Sequence, residues 1–350
     1  MPGDFPPRAD TAITFIGVNL LNFRLNLREN IMTLRCVILD DYQNVALSQA
    51  NWSVLAPEVE TVALHNPIQN QERLVEALVE ADIVIIMRER TPITPQLLSR
   101  LPKLKLLITS GMRNASVDLA AATAQGVTVC GTGSGSDAPV ELAWSLILGL
   151  ARHLTVENRS IRNRGPWQST LGVGLRGKTL GLIGLGKIGE KMALIGQAFG
   201  MKVIAWSQNL TAERAAQLKV TLAESKQALL KHSDFVSLHL VLSDRSRGII
   251  GAEDLACMRP GAFLINTSRS ALVDQAALLD ALTAQKIAGA GLDVFDIEPL
   301  PDNHPYRHLP NVLATPHLGY VTDDNYRIYF NEAIEDIQAF IAGAPVRRLQ

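Results

Sequence analysis

The chain has 350 residues, 47% of them hydrophobic, with 33 Lys plus Arg against 34 Asp plus Glu and a net charge of -1. That length suggests two domains with a sizeable core, and the even charge excludes the basic excess of a nucleic-acid or anionic-membrane binder. Apolar runs stay far below the ~20 residues of a membrane span, and the scattered Cys36, Cys130 and Cys257 fit a reducing cytoplasm, buried inert thiols and no metal site.

Residues 1–31 differ from the rest. Positions 1–10 hold three prolines and two acids, and the apolar stretch that follows is interrupted by Gly17, Asn19 and Asn22. A basic start and a small-residue cleavage site are missing, so the segment is a poor signal peptide. It is expected to be an extension outside the catalytic fold, with an upstream start codon as its origin. Residues 34–39 then begin a parallel-strand pattern that ends in Asp40 and Asp41. Residues 59–64 give a second strand. Residues 71–80 give a helix with Leu74, Ala77 and Leu78 on one face. Residues 81–87 are a strand leading into Arg88-Glu89-Arg90-Thr91-Pro92. Thr94 and Pro95 open a short helix as N-cap and first helical residue. Residues 104–109 are a strand ending in Ser110-Gly111-Met112-Arg113-Asn114, and 127–130 are another. Residues 131–137 form a flexible segment. Residues 138–159 read as one long helix linking to a second alternating β/α domain.

That second domain holds the most informative stretch. An apolar run at 179–183 precedes Gly184-Leu185-Gly186-Lys187-Ile188-Gly189, a helical stretch at 190–199 follows, and another apolar run spans 201–206. Strand, glycine turn, helix and strand in this order are the setting of dinucleotide binding. Gly184 permits the tight turn, Gly186 lets a pyrophosphate approach the backbone, and Gly189 allows close packing of helix and strand. The helix N-terminus presents N–H groups to the phosphates. The acid that holds the adenosine ribose belongs near position 207. The chain has Trp206-Ser207-Gln208-Asn209 there, with neither an acid to repel a 2′-phosphate nor a base beside Ser207 to attract one. NAD(H) and NADP(H) both stay open.

Three later segments carry the remaining chemistry. In the first, an apolar run ends in Asn266-Thr267-Ser268-Arg269-Ser270, and an Arg at a strand's end can clamp a carboxylate with two charge-assisted bonds. In the second, Gly291-Leu292-Asp293-Val294-Phe295 leads to Glu298-Pro299. In the third, Pro316-His317-Leu318-Gly319 places a His at the end of another apolar run. His exchanges protons near neutral pH, and a carboxylate such as Glu298 would favour its protonated form. Residues 323–342 close the chain with an amphipathic helix.

These motifs, in this order and spacing, resemble the D-isomer-specific 2-hydroxyacid dehydrogenases, which include glyoxylate/hydroxypyruvate reductases and phosphoglycerate dehydrogenases. The similarity runs from about Leu34 to the C-terminal helix. It implies an α/β chain of two Rossmann-like or flavodoxin-like parallel-sheet domains with an active-site cleft between them. Residues 32–133, completed by 317–350, would bind the substrate, and 134–316 would bind NAD(P). The resemblance implies that Arg269 clamps the substrate carboxylate, His317 donates and accepts the proton, and Glu298 holds His317. Asp293 would meet the nicotinamide carboxamide. Thr91, Gly184, Gly186, Lys187, Ile188, Gly189, Ser207, Leu240, Thr267 and Ser268 would contact the cofactor. Arg88, Arg90, Gly111, Met112 and Arg113 would close over a small anionic 2-keto or 2-hydroxy acid. A cytoplasmic homodimer is implied, with the helix around 139–159 in its interface.

The chain departs from the family pattern at two places. His239-Leu240-Val241-Leu242 replaces the frequent His-x-Pro-Leu, and Arg113 stands where many members have a small residue. With Arg88 and Arg90, Arg113 makes either a cationic mouth for a second anionic group or a set of solvated loop charges. The chain also ends soon after its last helix, unlike the long phosphoglycerate dehydrogenases. Glu298 argues against the formate dehydrogenase branch, which pairs the His with Gln. The competing reading is a nucleotide-sensing, corepressor-like binding protein on the same fold. The intact Arg269, Glu298 and His317 set favours an oxidoreductase.

Overall fold

The computed structural model describes residues 33–349, and the expectation for residues 1–31 lies outside the described residues. Two units divide the chain: one holds the described residues up to Gly133 and those from Ile328 onward, and the other is Ser134–Arg327. The return to the first unit therefore falls inside the C-terminal helix Asp323–Ile341, at Arg327/Ile328 rather than at 317.

In the first unit β1 (Leu34–Ile38), β2 (Val59–Ala63), β3 (Ile83–Ile86), β4 (Leu106–Thr109) and β5 (Thr128–Gly131) form one sheet in the order β2-β1-β3-β4-β5. Every pairing is parallel. β3 reads Ile-Val-Ile-Ile and β4 Leu-Leu-Ile-Thr, with every residue buried. Such unbroken apolar runs are what a strand needs when both of its faces are covered. Leu74, Leu78, Leu97 and Leu98 share a core with Val84, Ile86 and Leu107. The helices carrying those leucines start on side-chain caps. Asn70 accepts from the Arg73 N–H at 3.0 Å ahead of Gln71–Leu78, and Thr94 accepts from the Leu97 N–H at 3.3 Å ahead of Pro95–Leu98. Each cap contributes about 1 kcal/mol.

The chain terminus closes this sheet. The Gly131 N–H donates to the Arg347 carbonyl and the Leu349 N–H to the Val129 carbonyl, so a short antiparallel segment covers the β5 edge. An open edge would be a template for unwanted pairing. The Arg347 side chain meets Glu332, Glu335 and the fully buried Asp336 of the C-terminal helix. Burial pushes the Asp336 carboxyl up to about 7; Arg347 opposes this, while Glu332 and Glu335 add to it.

In the second unit β6 (Thr179–Ile183), β7 (Lys202–Trp206), β8 (Thr221–Leu222), β9 (Phe235–Leu238), β10 (Phe263–Asn266), β11 (Gly289–Leu292) and β12 (Val312–Ala314) run in the order β12-β11-β10-β9-β6-β7-β8. All six pairings are parallel. The order reverses between β6 and β9, which is where an open α/β sheet leaves a crevice for a ligand. In the first unit the equivalent reversal lies between β1 and β3.

The long helix expected over 138–159 is two helices, Asp137–Ala151 and Leu154–Arg162. His153, at φ +50°, breaks them. The environment changes at that point. The first helix buries Ala143, Trp144, Ile147 and Ala151 in the core of its unit, whereas the second buries no residue. The cysteines are free; Cys36 and Cys130 are buried and Cys257 is half-buried. Burial pushes the Cys36 thiol up to about 12, which leaves it unreactive. Among the described residues no helix is long and apolar enough to cross a membrane.

Candidate active site

Because the Ser134–Arg327 sheet is wholly parallel, the residues that follow its strands gather along one edge. The glycine turn follows β6. Gly184 has φ +103°, and a Cβ there would stand 2.5 Å from the His239 carbonyl oxygen, so the turn lies directly against the end of β9. A Cβ on Gly189 would stand 2.2 Å from the Gly184 carbonyl oxygen, which fixes the close approach of turn and helix. Gly186 is different. It is exposed, nothing lies within 4 Å of where its Cβ would be, and it is the N-cap of Lys187–Ala198 without a capping side chain. No capping side chain therefore occupies the first-turn N–H groups at Lys187, Ile188 and Gly189, which is what an incoming pyrophosphate requires. The chain here fits a dinucleotide.

Ser207 follows β7 and is half-buried. Leu240, two residues past β9, packs against the core beneath the turn. Its neighbour His239 has Nε2 2.9 Å from the Ser237 hydroxyl, while its Nδ1 is sealed from solvent with no hydrogen-bond partner. Burial lowers its pKa to about 4, so the ring is neutral at pH 7.

The segment after β10 is organised by Asn266, a buried residue whose role the sequence did not disclose. Its Oδ1 accepts from the Ser268 N–H at 3.0 Å and its Nδ2 donates to the Arg269 carbonyl at 2.9 Å. Its own carbonyl accepts from the Asp293 N–H. The Ser268 hydroxyl donates to the Leu238 carbonyl at 2.7 Å. Thr267, Ser268 and Arg269 are thus held on the strand edge, and Arg269 Nη1 donates to the Ser268 carbonyl at 2.7 Å. A buried amide at a strand end, followed by small polar residues, was the available signal.

His317 and Glu298 come together. His317 Nδ1 lies 2.7 Å from Glu298 Oε2, and Glu298 Oε1 accepts from the Phe295 N–H at 2.9 Å. The carboxylate is therefore fixed at both oxygens, and the imidazole turns its Nε2 away from it. Tyr320 packs edge-on against the ring with centroids 5.2 Å apart. His317 has φ +54°, a left-handed conformation uncommon for a non-glycine residue. The turn that holds it there is built on Asp293, whose side chain is fully buried. Asp293 Oδ1 accepts from Thr315 Oγ1 at 2.6 Å and from the Leu318 N–H at 2.7 Å; Oδ2 accepts from the Gly319 N–H at 2.8 Å. Burial raises the Asp293 pKa, and these donors oppose the rise. The carboxylate expected to face a nicotinamide carboxamide is committed to the loop that carries His317.

The first unit contributes its own strand-edge loops. Arg88, Arg90 and Thr91 follow β3; Gly111, Met112 and Arg113 follow β4. Arg88 Nη1 donates to the Ser110 carbonyl at 3.3 Å and lies against Gly111, where a Cβ would meet it at 2.0 Å. Arg90 Nη1 donates to the Asp40 carbonyl at 2.6 Å. Met112 and Arg113 are exposed. The Thr91 hydroxyl, expected at the cofactor, donates to Asp40 Oδ2 at 2.6 Å. Sequence reading gave Asp40 no role. Its signal was an acid immediately beyond a buried strand.

A parallel sheet with a glycine turn at its reversal point, an arginine and a carboxylate-held histidine on one edge defines a dinucleotide-binding α/β protein equipped for acid–base chemistry. Residues 144–319 match the family model described as D-isomer specific 2-hydroxyacid dehydrogenase, NAD binding domain. The chain is 37% identical over 261 residues to the glyoxylate reductase of Thermococcus litoralis, covering 72% of this chain and 78% of that one. It is 36% identical over 276 residues to the D-3-phosphoglycerate dehydrogenase of Methanocaldococcus jannaschii, covering 78% of this chain and 52% of that one. It thus spans about half the length of the phosphoglycerate dehydrogenases it matches. A phosphoglycerate oxidoreductase structure from Vibrio cholerae shares the fold with a TM-score of 0.85 at 38% identity, covering 89% of this chain and 100% of that one. The chain belongs to the D-isomer specific 2-hydroxyacid dehydrogenase family.

Proposed function

We propose that the protein is an NAD(P)-dependent oxidoreductase that interconverts a small 2-keto acid and the corresponding D-2-hydroxy acid. The observation that carries this reading is the His317–Glu298 pair at 2.7 Å, on the same sheet edge as Arg269 and the 184–189 turn. A nicotinamide, when bound, supplies the hydride. The protein's residues supply position and a proton. Arg269 holds the substrate carboxylate through its planar fork of donors. Protonated His317 keeps Nδ1–H on Glu298 and gives the Nε2 proton to the carbonyl oxygen as it becomes a hydroxyl. In the reverse direction the neutral ring takes that proton back. Glu298 keeps the ring oriented throughout, and Asp293 holds the turn from which His317 projects.

The cofactor is held by Gly184, Gly186, Lys187, Ile188 and Gly189 at its pyrophosphate, by Ser207 and Leu240 in its adenosine half, and by Thr267 and Ser268, with Thr91 contributing from its own loop. Ser207 offers no carboxylate to reject a 2′-phosphate, which supports use of NADP(H) as well as NAD(H). Arg88, Arg90, Gly111, Met112 and Arg113 take part in binding the acid. A homodimer is the expected assembly. It is supported by exposed apolar side chains just beyond the first long helix: Leu154, Ile161, Trp167 and Leu171, the last two 80% and 93% exposed. Light scattering at the column outlet checks that assembly.

The test is a panel of glyoxylate, hydroxypyruvate, phenylpyruvate and 2-ketogluconate, each with NADH and NADPH, read by coenzyme absorbance. Turnover of at least one is expected. Silence across the panel, with coenzyme binding intact, would refute the oxidoreductase reading and favour a nucleotide-sensing protein.

A further inference from the structure

The first unit carries a polar cluster whose buried acid, Asp40, the chemistry above does not use. Asp40 lies two residues past the end of β1, is 2% exposed and adopts φ +59°. Burying a carboxylate is costly unless donors meet it. Here Thr91 Oγ1 donates to Oδ2 at 2.6 Å, and the Tyr42 side chain hydrogen-bonds the same carboxylate. The left-handed turn at Asp40 also aims its carbonyl at Arg90, whose Nη1 donates to it at 2.6 Å. The Arg90 guanidinium carbon then stands 4.2 Å from the centroid of the Tyr42 ring, within cation–π range.

These residues sit where the strand order of the sheet reverses. Asp40 follows β1 and the 88–91 loop follows β3, and the two strands are neighbours although β2 separates them in sequence. The loop has a second anchor on its β4 side. The Arg88 N–H donates to Ser110 Oγ at 3.2 Å, and Asn114 Nδ2 donates to the Arg88 carbonyl at 2.6 Å. Arg88 itself has φ +53°, a conformation that persists only where surrounding contacts over-determine it. The loop is thus strung between Ser110 and Asn114 on one side and Asp40 on the other.

We propose that Asp40 is a positioning residue which, through Thr91 and Arg90, fixes the 88–91 loop and so sets the affinity for the 2-keto acid. The inference rests on the reading of Arg88 and Arg90 as acid-binding residues. Asp40 touches no reacting atom in this scheme; it acts through the loop.

Three variants of the full chain test it: Asp40→Ala, Asp40→Asn and Tyr42→Leu. Asp40→Ala is expected to raise the keto-acid KM about tenfold or more, with kcat within about threefold and NADH Kd raised by about threefold at most, since Thr91 is one of several cofactor contacts. Backbone hydrogen exchange should quicken over 88–93 and stay unchanged over 184–190. Asp40→Asn keeps an oxygen to accept from Thr91 and suits the left-handed turn, so its KM should stay within about threefold of wild type. Tyr42→Leu changes a side chain 38% exposed, so it folds even if Asp40→Ala does not. It should raise KM about threefold or more by releasing Arg90. A wild-type KM in both Asp40→Ala and Tyr42→Leu overturns the proposal. So do parallel losses of kcat and NADH affinity, which mark a general structural defect. If the wild type binds NADH but reduces no 2-keto acid, the oxidoreductase reading fails. Exchange over 88–93 then decides alone: faster exchange in Asp40→Ala upholds the hold on the loop, and unchanged exchange overturns it.

Discussion

Gly186→Ala separates ligand binding from folding, because the site where its Cβ would stand is open while that of Gly189 is not. At an N-cap, Gly to Ala costs about 1 kcal/mol or less, which is about 2–4 °C in Tm for a unit of this size. The new methyl occupies the approach to the first-turn N–H groups. NADH should then bind at least about tenfold more weakly, a loss of about 1.4 kcal/mol. At a coenzyme concentration of about 100 times the wild-type Kd, binding stabilises the wild type by about 2.7 kcal/mol and a tenfold weaker variant by about 1.4 kcal/mol. The coenzyme-induced rise in Tm should therefore fall by about half. Gly189→Ala behaves differently. Its Cβ would stand 2.2 Å from the Gly184 carbonyl oxygen, against about 3.3 Å for an ordinary carbon–oxygen approach. Helix and turn must part by about 1 Å, and such overpacking costs about 1–3 kcal/mol before any ligand is added. Thermal melts with and without NADH, together with fluorescence titration, measure both effects. Wild-type NADH affinity in Gly186→Ala would refute the placement of the pyrophosphate, and an unchanged Tm in Gly189→Ala would refute the packing argument.

Other substitutions address the remaining chemistry. His317→Ala should keep NADH affinity and lower kcat at least about a hundredfold; steady-state kinetics with wild-type-like kcat would exclude the proton-donor role. Arg269→Ala should raise KM and lower kcat together, since the clamp acts in both ground and transition states, and an unchanged KM counts against it. Ser207→Asp should shift kcat/KM toward NADH over NADPH by about tenfold or more through repulsion of the 2′-phosphate; an unaltered ratio would remove Ser207 from the ribose site. Asp336 gives a pH prediction. Its folded value of about 7 lies above the unfolded value of an aspartate. Its contribution to stability is therefore fully present below about pH 4 and is lost as pH rises through 7. The fall in Tm between pH 5 and pH 8 should be shallower in Asp336→Asn than in wild type, and parallel profiles would show that the carboxyl does not titrate this way.

Much of the molecule could be read locally. The unbroken apolar runs at 83–86 and 106–109, the Thr94-Pro95 helix start and the glycine turn depend on backbone preference and hydrophobic period over a few residues. The single helix expected over 138–159 failed because helical period was carried across a change of composition. The run turns from apolar to polar and charged at Arg152 and His153, and the helix breaks there: the first half sits in the core and the second does not.

By itself the sequence determined two β/α units, the dinucleotide turn, and an Arg, a Glu and a His in family order. Strand order and long-range contact decided the rest. Glu298 reaches His317 across 19 residues because a turn built on Asp293 holds His317 in a left-handed conformation. Thr91 reaches Asp40 across 51 residues because β1 and β3 are neighbours in the sheet. The physical reason is common to both. A carboxylate's partner is set by which strand ends the fold brings together, and that depends on the energy of the whole packed sheet rather than on any one segment.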